Sequence, residues 1–294
     1  MKLEEILSHP TKVLSEEQRR QYFREGYLSL PGFIEQDWVR VLNEALGEFI
    51  EESRTIDQST DRILLESGHT KENPRLLRIN QVVDHHQDFW KFAVESILPD
   101  LACDLVGPDV KFRESTVNLK WAGGGSAVAW HQDIAFMPHT NLNLFNALVY
   151  LDNVDLEQGP LQVIPGSHNG EIYRHYDDAG NWIARISDQD AERLALQEAI
   201  SLTGPVGTTI LLHCGTAHSS AENLSNRSRP LVFLGYQSAD SFCYVPFPRA
   251  PKSLGYIVRG QAARYAHHDP IELPLPPDWS DGYTSIYESQ TREE

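Results

Sequence analysis

GTTILLHCGTAHSSAENLSNRSRPLVFLGYQ, residues 207–237, is the stretch that decides the fold. It contains two short apolar runs, TTILLH and LVFLGYQ, and between them a polar segment rich in Ser and Asn, which favour turns. Similar runs, VKFRESTVNLKW, NALVYLDNV and LQVIPGS, occur further out, from about residue 109 onward. Many short strands separated by turn signals predict a barrel or a jelly roll.

The first hundred residues have a helical pattern instead. LSEEQRRQYFREG opens with a capping box at Ser15 and Gln18 and closes at a C-cap, Gly26. EQDWVRVLNEALGEFIEESR and QDFWKFAVESILPDLACDLVG have the apolar spacing of amphipathic helices, although Pro99 should end or kink the second one. We therefore expect a single, mainly β domain with a mainly helical layer over residues 1–108, a jelly-roll core over 109–245 and an extended C-terminal segment over 246–294.

Composition narrows the possible partners and the cellular location. A net charge of -17 argues against binding to nucleic acid or to anionic membranes. The three cysteines are far apart and contain no Cys-x-x-Cys pair, which argues against a disulfide framework and favours a reducing compartment. The N-terminus lacks the features of a signal peptide, and no apolar run approaches the length of a membrane span. We expect a cytoplasmic protein whose partner is a small molecule, not a nucleic acid or a membrane.

A His-x-Asp triplet lies in WAGGGSAVAWHQDIAF, residues 121–136. Because alternate residues of a strand point to the same face, His131 and Asp133 can reach one ion while Gln132 points away. The third ligand must come from another strand of the closed barrel, and His218 follows the run TTILLH. Two imidazoles and one carboxylate form the ligand set of the non-haem Fe(II) facial triad, which leaves positions open for a bidentate cosubstrate and O₂.

Arg229 is the candidate cation for the far end of that cosubstrate. It opens the strand LVFLGYQ, next to the strand that carries His218, and a guanidinium binds a carboxylate through two hydrogen bonds. A surface ion pair is its alternative, and Arg227 is a near competitor. His213 competes with His218, but we interpret it as a polar residue at the end of an apolar strand. Solvated, capping or loop positions are expected for His85, His86, His139, His168, His267 and His268.

At these residues the chain resembles the phytanoyl-CoA dioxygenase family of Fe(II)/2-oxoglutarate-dependent oxygenases. Four blocks between about residues 17 and 240 carry the likeness: EGYLSLPGF, LKWAGGGSAVAWHQD, NALVYLDNVDLEQGPLQVIPGSHNG and GTTILLHCGTAHSSAENLSNRSRPLVFLGY. The resemblance implies a double-stranded β-helix, a cupin-like jelly roll, flanked by helices. It also implies a hydroxylase that oxidises an unactivated C–H bond of a small molecule with O₂ and releases succinate and CO₂.

The resemblance further implies residue roles. Fe(II) is held by His131, Asp133 and His218, and Arg229 pairs with the distal carboxylate of 2-oxoglutarate. Asn118 resembles a position that touches the cosubstrate in some members, with an ordinary strand residue as the alternative. Ser225 and Lys120 are further cosubstrate candidates, although Lys120 could instead support a loop or touch the substrate. Since related halogenases replace the residue that is Asp133 here to make room for chloride, halogenation is disfavoured.

The substrate is less well defined by the sequence. The metal strand is flanked by Trp130, Phe136 and Met137. We expect them to pack in the core rather than to contact the substrate. Residues 53–78 and 170–200 are candidate lids. No Lys/Arg cluster is available for the phosphates of CoA, so an amino-acid-like or natural-product-like substrate is preferred to an acyl-CoA. The alternatives are a zinc hydrolase or lyase on the same three ligands and a non-catalytic jelly-roll binding protein.

Overall fold

The computed structural model describes residues 2–247, 250–279 and 285–291. The helices in these ranges are α1 (Leu3–Ser8), α2 (Glu16–Glu25), α3 (Gln36–Ser53), α4 (Gln87–Glu95), α5 (Leu98–Val106), α6 (Asp188–Ala191) and α7 (Ile286–Thr291). The strands are β1 (Tyr27–Leu30), β2 (Ile63–Leu65), β3 (Leu76–Asn80), β4 (Val110–Lys120), β5 (Val128–His131), β6 (Leu144–Tyr150), β7 (Leu161–Val163), β8 (Ile200–Leu202), β9 (Thr209–His213), β10 (His218–Ser220), β11 (Arg229–Ser238) and β12 (Ile257–Arg259).

These strands form two antiparallel sheets. The major sheet has the order β1-β9-β6-β11-β4-β3-β2, with β12 paired to β4, and the minor sheet has the order β5-β10-β7-β8. The prediction of a mainly β, cupin-like jelly roll with flanking helices is confirmed. The expectation of a closed barrel is wrong in detail, because no described strand pairs one sheet with the other.

The two faces of the major sheet have separate apolar cores. On β11, Val232 and Leu234 belong to a cluster shared with α2–α5, whereas Leu231 packs with residues of the minor sheet such as Val163. This alternation follows from the two-residue period of a strand. The helices therefore cover the outer face of the major sheet, and the inner face is left for the minor sheet and the site between them.

The N-terminal residues contribute more than helices. The capping box of Ser15 with Gln18 and the C-cap at Gly26, with φ of 78°, begin and end α2 as expected. Pro99 lies in the first turn of α5, after a break that separates this helix from α4. However, β1, β2 and β3 all come from residues 1–108 and extend the major sheet. The candidate lid at residues 53–78 thus contains the edge strand β2 and the first residues of β3, which pairs with β2 and β4.

Two further segments differ in detail from the sequence reading. The helical pattern near residue 190 yields only the four-residue helix α6, and the rest of residues 170–200 is mostly turns and loops. The described part of the C-terminal segment includes β12 and α7 and otherwise has turns, bends and residues without regular secondary structure. None of the described helices is both long and apolar enough to cross a membrane.

Candidate metal centre and active site

Three side chains meet at the end of the minor sheet. His218 on β10 pairs directly with His131 on β5, so their rings lie side by side with centroids 4.1 Å apart. Asp133 Oδ1 lies 3.6 Å from Nε2 of His131 and 3.7 Å from Nε2 of His218. No second group of three His, Cys, Asp or Glu side chains with ligand atoms this close is found in the described part of the chain.

The local backbone explains why Asp133 faces the two histidines. The strand β5 ends at His131, Gln132 remains extended, with φ of -125° and ψ of 125°, and Asp133 begins a 3-10 turn. The alternation of side chains therefore persists for one residue beyond the strand. Gln132 points away, as predicted, and its side chain bonds Gly215 O at 2.8 Å and Tyr173 N at 2.8 Å.

Hydrogen bonds fix the tautomers of both imidazoles. Nδ1 of His131 bonds Ala129 O at 2.8 Å, and Nδ1 of His218 bonds Thr216 O at 2.9 Å. A carbonyl only accepts, so each Nδ1 carries the proton and each Nε2 offers a lone pair toward Asp133. Burial, followed by the nearby His218, lowers the pKa of His131 to about 3, which keeps its ring neutral. The donor set thus fits a divalent cation.

The carboxylate of Asp133 is oriented from the major sheet. Asn146 on β6 donates from Nδ2 to Asp133 Oδ2, and its Oδ1 accepts from Arg113. Burial acts to raise the pKa of Asp133, but His218, His131 and Arg113 outweigh it and lower that pKa below its usual range. Partners of this kind commonly tune a metal ligand.

A β-bulge brings Arg113 into this position. Gly235 pairs with Glu114 and Tyr236 pairs with Phe112, so the register skips Arg113. Bulges re-aim side chains in this way, and here Arg113 and Glu114 both face the site, where they form an ion pair. A Cβ on Gly235 would lie 2.8 Å from Arg113 Nη2, so the glycine makes room for the guanidinium.

A cavity of about 160 Å³ lies between the two sheets and contains the three candidate ligands. Its walls combine buried charge with apolar side chains. Its lining comprises Arg78, Arg113, Glu114, Asn118, Val128, His131, Asp133, Phe136, Met137, Leu148, Leu161, His218, Ser219, Ser220, Arg229, Leu231, Phe233, Ile286 and Tyr287. Of the residues expected near the metal strand, Phe136 and Met137 reach the cavity, whereas Trp130 packs in a core cluster.

Arg229 enters this cavity from the major sheet and is 3% exposed. The expectation that its strand lies beside the strand of His218 is wrong, because β11 pairs with β4 and β6 while β10 belongs to the minor sheet. Arg229 therefore faces the ligands across the cavity. Its Nε has no hydrogen-bond partner among the described residues. Burial raises the pKa of Tyr150, and the neighbouring guanidinium of Arg229 opposes this shift.

Two of the competitors lie outside the cavity. Arg227 forms an ion pair with Asp155 at 2.7 Å. His213 lies next to His168, with ring centroids 4.9 Å apart, and burial lowers its pKa to about 3. Neither Arg227 nor His213 is among the described residues that line the cavity.

The remaining cosubstrate candidates are divided between the cavity and its surroundings. Asn118 lines the cavity, its Nδ2 donates to Thr116 Oγ1 at 3.2 Å, and its buried Oδ1 has no partner among the described residues. Lys120 lies opposite Arg229 in the sheet, but its Nζ donates to Ser220 O and Ala221 O. Ser225 Oγ donates to Asn223 Oδ1 at 2.7 Å within a turn. The structure thus brings Asn118, but not Lys120 or Ser225, to the cavity lining.

Several cavity residues had not been singled out in the sequence. Arg78 comes from β3, Arg113 and Glu114 from the bulge, and Tyr287 from α7. The charged pair in VKFRESTVNLK was the one available signal, since two charges in a buried strand require partners. Nothing in the local pattern around Arg78 or Tyr287 indicated a site.

The chain matches the model of the phytanoyl-CoA dioxygenase (PhyH) family over residues 22–231. It belongs to this family. L-proline trans-4-hydroxylase of Streptomyces griseoviridis is 30% identical over 234 residues, covering 74% of this chain and 84% of that protein. A probable alpha-ketoglutarate-dependent hypophosphite dioxygenase of Stutzerimonas stutzeri is 28% identical over 281 residues, covering 93% and 96%.

Solved structures agree on the fold. The crystal structure of EctD from S. alaskensis with bound Fe has a TM-score of 0.69 and 24% identity and covers 91% of this chain and 93% of that one. At this identity the likeness shows the fold alone. The family match and the named relatives together show that the protein is an Fe(II)- and 2-oxoglutarate-dependent dioxygenase that acts on a small molecule. This outcome confirms the predicted cofactors and sets aside the zinc hydrolase and the non-catalytic binding protein.

Proposed function

We propose that Fe(II) binds to His131, Asp133 and His218, that 2-oxoglutarate lies between this ion and Arg229, and that a compact substrate is hydroxylated in the same cavity. The observation that carries the proposal is the placement of the two anchors on opposite sheets. Three ligand atoms lie within 4.8 Å of one another on one side, and a buried guanidinium with an unpartnered Nε lies on the other. Both anchors line one cavity, so a dicarboxylate bound at the ion would have Arg229 as a cation on the opposite wall.

The metal and the cosubstrate supply the oxidising chemistry when bound, and the protein provides binding, orientation and exclusion of water. His131 and His218 present neutral Nε2 atoms, so no proton has to leave before an ion binds. Apolar side chains such as Phe136 and Leu148 line the cavity and restrict water around the reacting groups.

Arg229 is the proposed partner of the distal carboxylate. Guanidinium and carboxylate match in geometry, and in a buried site their pairing is strong. Asn118 is the proposed second contact, because rotating its amide by half a turn would offer Nδ2 to the cosubstrate while Oδ1 accepts from the Thr116 hydroxyl. The proposed role of Lys120 and Ser225 is structural. Lys120 connects the end of β4 to the end of β10 by hydrogen bonds, and Ser225 stabilises the turn before β11.

The proposed substrate is amino-acid-like or natural-product-like in size. The cavity of about 160 Å³ is small beside the ~300–1,000 Å³ of typical ligand pockets. An acyl-CoA would have to leave most of its length outside this cavity. Relatives named for L-proline and for hypophosphite support a compact substrate. The three unpaired cysteines agree with a reducing compartment, and we retain the cytoplasm as the proposed location.

The test is an anaerobic titration of the Fe(II)-loaded protein with 2-oxoglutarate. We expect a visible metal-to-ligand charge-transfer band that is absent in His131→Ala. Arg229→Ala should keep the iron and raise the Kd for 2-oxoglutarate about 30-fold or more, because a buried carboxylate loses its paired charge. Arg227→Ala, on the neighbouring turn, is the matched control and should leave that Kd unchanged. A band that persists in His131→Ala, or iron loss in Arg229→Ala, would show that the assigned roles are wrong.

A further inference from the structure

Arg78 is a charged residue of the cavity that has no binding role in the proposed function. It lies at the centre of β3, directly opposite Asn118 on β4, and both side chains line the cavity. Its Nε is buried and has no hydrogen-bond partner among the described residues, and no ion pair joins its guanidinium to a described carboxylate. A desolvated donor without a partner is unfavourable, so it is expected where a ligand supplies the acceptor.

The other two arginines of the cavity have partners or a proposed partner. Arg113 forms an ion pair with Glu114 and donates to Asn146, which in turn fixes Asp133. Arg229 is assigned to the distal carboxylate of 2-oxoglutarate. Arg78 stays within electrostatic range of Glu114 and Asp133 without a direct bond to either.

The charges of the loaded cavity do not cancel. Three arginines face two carboxylates, Glu114 and Asp133, among the lining residues. A divalent iron and the 2-oxoglutarate dianion offset each other, so one positive charge remains. A buried uncompensated charge is unfavourable, and a bound monoanion would neutralise it.

We propose that Arg78 binds the anionic group of the substrate, and that this substrate is a small monoanion, carrying a carboxylate or a comparable oxyanion. The inference rests on the proposed function and adds the substrate class. The size of the cavity indicates a small substrate, and the residual positive charge indicates an anionic one. The relative named for hypophosphite, a monoanionic oxyanion, is consistent with both the anionic group and the net charge; the relative named for L-proline, a zwitterion, is consistent with the anionic group only. The competing assignment is that Arg78 contacts the iron-proximal carboxylate of 2-oxoglutarate.

The experiment separates these assignments by measuring two affinities in wild type, Arg78→Gln and Arg78→Lys. First, 2-oxoglutarate is titrated into the anaerobic Fe(II) protein. Second, the preformed Fe(II)–2-oxoglutarate complex is titrated calorimetrically with hypophosphite, acetate and L-proline, and with L-prolinamide, which lacks the carboxylate. Arg62→Gln, on the same edge of the sheet but outside the cavity lining, is the matched control. Melting temperatures of the metal-free variants report on folding.

We expect at least one monoanion to bind the wild-type complex, to bind Arg78→Gln about 30-fold or more weakly, and to recover in part in Arg78→Lys. L-prolinamide should bind less well than L-proline only where Arg78 is present, and the affinity for 2-oxoglutarate should be unchanged. The proposal is overturned if Arg78→Gln weakens 2-oxoglutarate instead, or if no monoanion distinguishes wild type from Arg78→Gln. Failure of the proposed function would be seen separately, as a wild-type protein with no charge-transfer band.

Discussion

Replacing Asn146 by leucine should weaken metal binding through a residue that never touches the metal. Asn146 is fully buried, donates to Asp133 Oδ2 and accepts from Arg113. Leucine has the same branched shape and number of side-chain heavy atoms, although it is somewhat larger, and it removes both hydrogen bonds. Asp133 then loses the group that fixes its rotation, and Arg113 loses a neutral acceptor.

The structure sets the size of this effect. Hydrogen bonds to charged groups contribute about 1.5–3 kcal/mol each, so two such bonds place the loss of folding free energy in the range of ~3–6 kcal/mol. Loss of a partner that orients a metal ligand typically lowers metal affinity about 10–100-fold. Both effects should be present, because the same side chain serves the fold and the ligand.

The assay is anaerobic Fe(II) binding by chelator competition, combined with urea unfolding of the metal-free protein. Asn223→Leu is the matched control: Asn223 is also fully buried and donates to Lys120 O and Arg227 O, remote from the ligands. It should destabilise the fold while leaving Fe(II) affinity within about threefold. Equal losses of iron affinity in both variants, or none in Asn146→Leu, would refute the reasoning.

Three other changes test separate features. Gly235 does not line the cavity, yet Gly235→Ala should lower Fe(II) affinity about tenfold, because the added methyl displaces Arg113. Unchanged binding by chelator competition would contradict this. Burial lowers the pKa of Lys111 to about 8, so between pH 8 and 10.5 the unfolded chain holds more protons; wild type should gain stability relative to Lys111→Met across that window in urea titrations. Gly26→Ala should cost about 2–4 kcal/mol of unfolding free energy, since φ is 78° there and the methyl would meet the ring of His168.

The metal ligands could be predicted because their placement depends on short-range rules. His131 and Asp133 share a face through the alternation of extended backbone, and the backbone stays extended even though Asp133 lies in the turn after β5. His218 required one longer step, a pairing of β10 with β5, which the jelly-roll pattern favours. Local geometry and fold class together were sufficient for this part of the site.

The cationic part of the site depends on register, which the sequence did not reveal. Arg113 reaches the cavity because one residue is skipped opposite Gly235 and Tyr236. Arg78 reaches it because the segment predicted as a candidate lid adds β2 and part of β3 to the major sheet beside β4. A shift of one residue in either pairing would turn these side chains to the helical face, and no local pattern fixes such a register.

This division between the sheets has a consequence for how ligands stabilise the protein. The minor sheet contributes neutral imidazoles, and the major sheet contributes Arg78, Arg113 and Arg229 to the same cavity. Each of these arginines has a buried Nε without a partner among the described residues, and like charges in a region of low dielectric repel one another. An anion bound in the cavity would therefore offset this repulsion and should stabilise the fold as well as take part in the reaction.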